Sequence, residues 1–388
     1  MYLISLKKDY NKIITKYDSF QKQIKIRNPG VDLGRILAML AIIIHHILVP
    51  GKGINKFSQY PELVKLNTAV FWHVSTYIFI SGYVGYKSTK YSNLLYLWLC
   101  TLFYSIGIVR YFTLYKPYIY KRKIILMDFF PVLTIKYWYF TEYFGMYLFL
   151  PIINKGIENI NQPQFKIMII TLIGVYIVLK DFIIPQADIF QMRGGYSVIW
   201  FLIFYSIGAY FGKFRKNREL LKKIIYNIIY ILIFCFSTYL CFVLPNYQVN
   251  NGNSKIKKRL IISLKRIFVT RISAFPMIIQ SITLMLFITN ISYNKYIAKI
   301  ITFVGPLTFG VYLIHEHTII RAKFIGSLLN NYSSNLPLNK VIIIILFNSL
   351  KIFAKYAIID YLRNIFFRIC QIRKICIFLE KLIFLILG

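Results

Sequence analysis

Apolar residues in this chain fall in long, nearly unbroken runs, such as residues 167–179, 224–244, 275–291 and 341–350. A surface helix of a soluble domain would instead carry them as one stripe. A helix rises about 1.5 Å per residue, so about 20 residues cross a hydrocarbon layer of about 30 Å. Reading the runs in order predicts about ten spans, at residues 33–50, 68–86, 92–114, 137–154, 166–184, 196–212, 223–245, 272–292, 300–318 and 340–359. The longest polar stretches are residues 1–30, the Lys-rich loop after Arg110, and residues 246–271. The expected fold is therefore an all-α, polytopic membrane protein. It divides into a basic amino-terminal segment (1–30), a membrane domain (31–360) and a basic, apolar tail (361–388). That tail reads as interfacial, although its composition would also permit a span.

Composition sharpens this picture. The chain of 388 residues is 57% hydrophobic and carries a net charge of +35, from 48 Lys and Arg against 13 Asp and Glu. Such a charge on a soluble face would suggest nucleic acid. Here the basic residues lie between apolar spans, where anionic lipid accounts for them, so no nucleic-acid partner is expected. The abundance of Ile, Lys, Asn, Tyr and Phe also fits an AT-rich bacterial genome. Cys100, Cys235, Cys241, Cys370 and Cys376 form no CxxC pair and read as small apolar residues, with no metal expected. Residues 1–30 hold no continuous apolar core of a cleavable signal peptide. Basic residues from Lys7 to Arg27, the stretch KFRKNRELLKK at 213–223 and the tail share one side of a ten-span chain. Both termini are therefore expected in the cytoplasm of a bacterial cell membrane, although residues 116–123 and 255–266 are basic on the other side.

The stretch RILAMLAIIIHH sets a permanent cation, Arg35, before an apolar run that ends in His45 and His46. Arg35 and His46 are eleven residues apart, close to three helical turns, so they share a face about 16 Å apart. His45 lies about 100° further round and is expected to face elsewhere. The remaining histidines are His73, His315 and His317, the last two flanking Glu316. Counting spans puts all five histidines near the outer face, together with Glu142 about a turn inside the fourth span. Ionisable groups at membrane depth cost roughly 2.5–3.5 kcal/mol at a helix centre on insertion scales and usually mark function. Interfacial histidines, where the cost is small, are the plainer reading.

VDLGRILAMLAIIIHH resembles the first span of the acyltransferase-3 family of integral membrane O-acyltransferases, whose signature is a basic residue, ten intervening residues and a histidine. Arg35 and His46 match it. TYIFISGYVGY is similar to the second-span Ser-Gly-aromatic motif at Ser81, Gly82 and Tyr83. YWYFTEYFGMYLFLPIIN resembles the aromatic fourth span, with Trp138 and Tyr139 in the motif places and Tyr137 where many relatives carry a polar or titratable residue. GGYSVIWFLIFYSIGAYF and FGVYLIHEH resemble the sixth and ninth spans of the branch that modifies surface polysaccharides. The resemblance covers residues 31 to 360. It implies transfer of an acyl group, usually acetyl, from cytoplasmic acetyl-CoA to a hydroxyl of a surface glycan or a lipid-linked oligosaccharide.

The residues fit that chemistry. Arg35 can pair with the phosphates of a CoA thioester. His46, about 16 Å deeper, is within reach of an extended pantetheine arm. A neutral imidazole with a pKa of about 6.5 can serve as general base on a sugar hydroxyl or carry the acyl group transiently. The expected catalytic set is Arg35, His46, Glu142 and His315, with Arg35, His73, Ser81, Trp138, Tyr139 and His317 as substrate contacts. Ser81 is a second candidate nucleophile, against the close packing that Ser-Gly pairs support in spans. Arg193 and the Gly194–Gly195 pair form either an acceptor contact or a plain turn, and GPLTFG at 305–310 should bend the ninth span. A glycan flippase or polymerase, or a transporter without chemistry, is the rival class. Either would leave acetyl-CoA intact.

Overall fold

The computed structural model describes residues 28–87, 89–116, 126–183, 188, 190–214, 220–246, 261 and 271–387. The basic amino-terminal residues up to 27, residues 117–125 and 215–219, and all of 247–270 except 261 lie outside the described residues. Several of the charges used above for orientation lie there. The described residues contain helices and no strands.

Helix α1 (Pro29–Leu48) opens on Asn28, whose side chain accepts from the Gly30 N–H at 2.9 Å while its amide donates to the Thr289 carbonyl at 3.0 Å. Proline at the first position needs no partner for a missing N–H. The second predicted span is two helices, α2 (Glu62–Val70) and α3 (His73–Gly85), which break at Phe71–Trp72 and so put His73 at a bend. The chain continues through α4 (Tyr91–Tyr115), α5 (Trp138–Asn159) and α6 (Gln162–Ile173), with a π-helical turn (Gly174–Leu179) extending α6. Next come α7 (Val198–Lys213), α8 (Leu220–Asn246) and α9 (Phe275–Asn290). The ninth predicted span is interrupted as its sequence suggested: α10 (Lys295–Val304) and α11 (Thr308–His315) are joined by a 3₁₀ turn at Gly305–Leu307. Pro306 removes the hydrogen bond that would have kept one straight helix. The last helices are α12 (Leu338–Ile369) and α13 (Ile372–Leu387).

Helices therefore occupy each of the ten predicted places, yet they are not equivalent. Among the described residues, seven are long and apolar enough to cross a membrane, and α7 and α9 are apolar but shorter, at 16 residues each. Helix α5 has 22 residues, but tyrosines, Glu142, Asn154 and Lys155 dilute its apolar character. Helix α12 runs unbroken through residue 360, where the membrane domain was expected to end. The tail forms α13, which packs along α4, with Arg373 donating to Asn93 at 2.8 Å.

Two apolar clusters meet at α1. Val31, Ala38 and Ala41 join the cluster built on α3, α7 and α9, whereas Met39, Ile43 and Ile47 join the one built on α4, α11 and α12. In the first cluster, α3 and α7 make the most extensive helix pair among the described residues. A Cβ on Gly82 would strike the Tyr205 carbonyl, and one on Gly208 or Gly212 would strike the Phe79 or Tyr83 carbonyl. Small residues let two backbones approach this closely, which replaces the missing hydrophobic drive inside lipid with van der Waals contact. In the second cluster the bent helix seats two carboxylates. Gly305 leaves room for Asp32 of α1, and Gly310 for Asp360 of α12. Asp360 accepts from Arg363 at 2.8 and 2.9 Å and from the Tyr104 hydroxyl at 2.9 Å, which ties α12 to α4.

Gly208→Val should destabilise the protein by at least about 1–3 kcal/mol, the usual range for overpacking. Gly107→Ala, whose new methyl meets nothing within 4 Å, should be neutral or slightly stabilising. Thermal unfolding of both variants in detergent, followed by size-exclusion chromatography, measures the difference.

Candidate active site

The carboxy-terminal half of α1, the starts of α3 and α5, and α11 enclose a cavity of about 190 Å³. Met39, Ile42 and His46 line it from one face of α1, the face that also carries Arg35 one turn further in. His73 and Val74 enter from the start of α3, Trp138 and Tyr139 from the start of α5, and Tyr312 from α11. Tyr196 closes one side, its ring 4.5 Å from that of Trp138. Arg321, 40% exposed, stands at the rim.

The histidines form a connected row. Ring centroids are 5.4 Å apart for His73 and His45, 5.5 Å for His45 and His46, and 5.1 Å for His46 and His315. The expectation that His45 faces elsewhere is corrected here, since both α1 histidines line the cavity. An angular separation of about 100° at the end of a helix still leaves both rings against one wide opening. Their surroundings differ, however. His45 Nδ1 donates to the Asn67 side-chain oxygen at 2.7 Å, which ties it to α2. His46 Nδ1 stands 3.3 Å from Glu316 Oε2, and the other carboxylate oxygen of Glu316 pairs with Arg321. His315 backs this group without lining the cavity, its Nδ1 donating to the Val311 carbonyl at 2.7 Å.

The other expected site residues are distributed as follows. His73 is buried on the cavity wall, with no hydrogen-bond partner on either ring nitrogen. His317 caps the single turn Thr318–Ile320, accepting from the Ile319 N–H at 3.3 Å, and does not reach the cavity. Ser81 donates to the Tyr77 carbonyl of its own helix at 3.0 Å and lies outside the cavity lining. Glu142 also lies outside it and faces Arg193 at 4.0 Å. The Arg193–Gly195 segment is a 3₁₀ turn in which a Cβ on Gly195 would strike Ile272 at 2.6 Å. Arg35 pairs with Asp32 at 2.6 Å, and the Tyr77 hydroxyl donates to its carbonyl at 2.7 Å. Tyr77 itself lines the cavity, so Arg35 stands just behind its inner wall.

Sequence reading named Glu316 without giving it a role and passed over Arg321, and both residues matter to this geometry. A signal was present, because Glu316 is the one carboxylate, and Arg321 the one arginine, among residues 291–350. His46, His315 and Glu316 also offer ligand-type atoms within 4.8 Å of one another. Ligands around tetrahedral zinc stand closer, about 3.4 Å apart at bond lengths of about 2.0–2.1 Å. Arg321 already neutralises the carboxylate, and a metal ion would compete with it. The arrangement suits proton handling better. Glu316 Oε2 stands 3.3 Å from His46 Nδ1 without a hydrogen bond between them, close enough to orient the ring once a proton is shared.

A comparison with known proteins agrees with this geometry. No curated protein and no solved structure matches the chain. The family model described as an acyltransferase domain, Acyl_transf_3, matches residues 28–353, which include every residue of the cavity. The chain is a membrane acyltransferase by descent and belongs to the acyltransferase-3 family.

Proposed function

We propose that this protein moves an acyl group, acetyl in the first instance, from cytoplasmic acyl-CoA to a hydroxyl of a surface glycan or its lipid-linked precursor. The observation that carries the reading is the His46–Glu316 approach at the wall of a cavity beside the family's arginine-to-histidine helix. In the transfer, Nε2 of His46 takes the proton of the acceptor hydroxyl as its oxygen attacks the thioester carbonyl carbon. The new C–O bond forms, the C–S bond breaks, and the proton passes from the imidazolium to the departing CoA thiolate. Glu316, whose other oxygen pairs with Arg321, stabilises the imidazolium. Trp138, Tyr139 and Tyr196 offer an aromatic face to the sugar. A cavity of about 190 Å³ is smaller than ordinary drug-sized pockets of about 300–1,000 Å³, which argues against passage of a polymer through it.

Arg35 serves the donor in this reading. Arg35→Lys keeps the charge and loses the planar fork, so it should raise KM for acetyl-CoA more than it lowers kcat, and Arg35→Ala should raise it further. In an assay following radiolabelled acetyl from acetyl-CoA to glycan, His46→Ala should lose about 10²–10⁴-fold in turnover. His45→Ala, whose ring is tied to Asn67, should retain much more. Intact labelled acetyl-CoA after incubation of wild-type protein with acceptor would refute the transfer. Comparing the O-acetyl content of surface glycan with and without the gene identifies the acceptor.

The proposed orientation puts both termini in the cytoplasm and the histidine cavity toward the outer face. A single cysteine at Lys52, in the turn after α1, should then react with an impermeant maleimide added to intact cells. Labelling only after the cells are opened would reverse the orientation.

A further inference from the structure

A groove of about 420 Å³ lies between α4 and α12. Phe103, Gly107 and Tyr111 line it from α4, Ile314 from α11 and Tyr356 from α12. Tyr111 is 48% exposed and Phe324, at the rim, 38%. Because α4 and α12 are both long and apolar enough to span, the groove opens toward lipid. A Cβ on Gly107 would meet nothing within 4 Å, so the floor is clear there. Two lysines enter this apolar surface, Lys116 just past the end of α4 and Lys355 on α12. No Asp or Glu lines the groove, and the Lys355 ammonium stands 5.9 Å from the centre of the Tyr356 ring. Lysines set against lipid are costly unless an anion meets them.

The groove and the histidine cavity share one wall. Tyr312 lines the cavity, and Ile314, about 200° further round α11, lines the groove. In the turns that follow, Ile320 and Phe324 line the groove while Arg321 stands at the cavity rim. Gly310 packs against Asp360, and Ile314 and Tyr356 meet in the groove, so α11 and α12 run antiparallel. Lys355, five residues before Asp360, is therefore level with His315, five residues after Gly310. Tyr96 meets Arg363 and Tyr104 meets Asp360, so α4 and α12 are antiparallel too. Side chains lean toward the amino-terminal end of their helix, which turns Lys355 toward the end of α4 where Lys116 stands. The Phe112 and Phe324 rings, 5.6 Å apart, hold that end of α4 against the turn that carries Arg321.

We infer that the groove seats the apolar chain of a lipid phosphate that carries the acceptor glycan. The phosphate lies between Lys116 and Lys355, and the sugar turns over the Arg321 rim into the histidine cavity. Two ammonium groups supply charge-assisted hydrogen bonds to the phosphate, and the apolar lining supplies contact for the chain. The inference rests on the acyl-transfer reading and selects the lipid-linked precursor as acceptor. An ordinary anionic phospholipid offers similar chemistry, and the experiment separates the two.

The test uses purified protein in phosphatidylcholine nanodiscs and a polyprenyl phosphate with a diazirine on its chain. Wild type should be labelled within residues 103–116 or 352–359. Plain polyprenyl phosphate should compete for the label, whereas polyprenol, which lacks the phosphate, and phosphatidylglycerol at equal mole fraction should not. Lys116→Gln/Lys355→Gln should weaken the affinity measured by competition at least about tenfold. Gly107→Trp, which fills the groove from its floor, should abolish the label, and Gly107→Ala should keep it. Thermal stability of each variant is measured alongside. Label found elsewhere, or equal affinity in wild type and the double variant, overturns the inference. Phosphatidylglycerol that competes as well as polyprenyl phosphate marks a seat for bulk lipid and overturns it too. Wild-type protein that binds polyprenyl phosphate as described but leaves acetyl-CoA intact would remove the acyl-transfer reading and leave the lipid seat standing.

Discussion

A charge carried into a hydrocarbon layer costs several kcal/mol unless a partner of opposite sign meets it there. That requirement shapes this bundle. Asp32 is neutralised by Arg35, Asp360 by Arg363, Asp128 by Lys136 and Glu316 by Arg321. Each pairing also fixes an element. Asp32 and Asp360 are fully buried against two glycines of the bent α10–α11 helix, so that helix is clasped between α1 and α12 by carboxylates that could not be accommodated beside a larger residue. Asp360 further recruits Tyr104, and Arg363 recruits Tyr96, so the ion pair binds α12 to α4 as well.

The histidine row is the part of the polar interior that this matching leaves available. Its rings approach one another at 5.1–5.5 Å. Glu316 is where the two systems meet: one oxygen is taken by Arg321, while the other approaches His46. His46 is thus the histidine with a carboxylate behind it and a cavity before it. Its cousin His45 has an amide behind it, and His315 has a backbone carbonyl. The proposed transfer of a proton to and from the acceptor rests on the first of these.

Periodicity along one helix made much of this legible. The eleven-residue interval from Arg35 to His46 requires only helical geometry, and the structure keeps that face against the cavity through Met39 and Ile42. GPLTFG announced a bend, and the bend is there. Counting spans gave depth but no azimuth, which is why Glu142 reads as a member of the histidine layer yet turns to Arg193. For the same reason Glu316 was seen between two histidines without its partner. Its approach to His46 joins α1 to the residue that follows α11, and a single sequence holds no trace of that pairing. Ser81–Gly82 left two readings open, of which the structure displays close packing of Gly82 on α7.

The central claim is that His46 works through its contact with Glu316. A double-mutant cycle on turnover tests it directly, using His46→Ala, Glu316→Gln and the double variant in the radiolabelled transfer assay. Residues that act as one unit are strongly non-additive, so adding Glu316→Gln to His46→Ala should cost almost nothing further. Losses that multiply, with the double variant slower by the product of the two single effects, would mean that Glu316 and His46 act independently and would contradict the account.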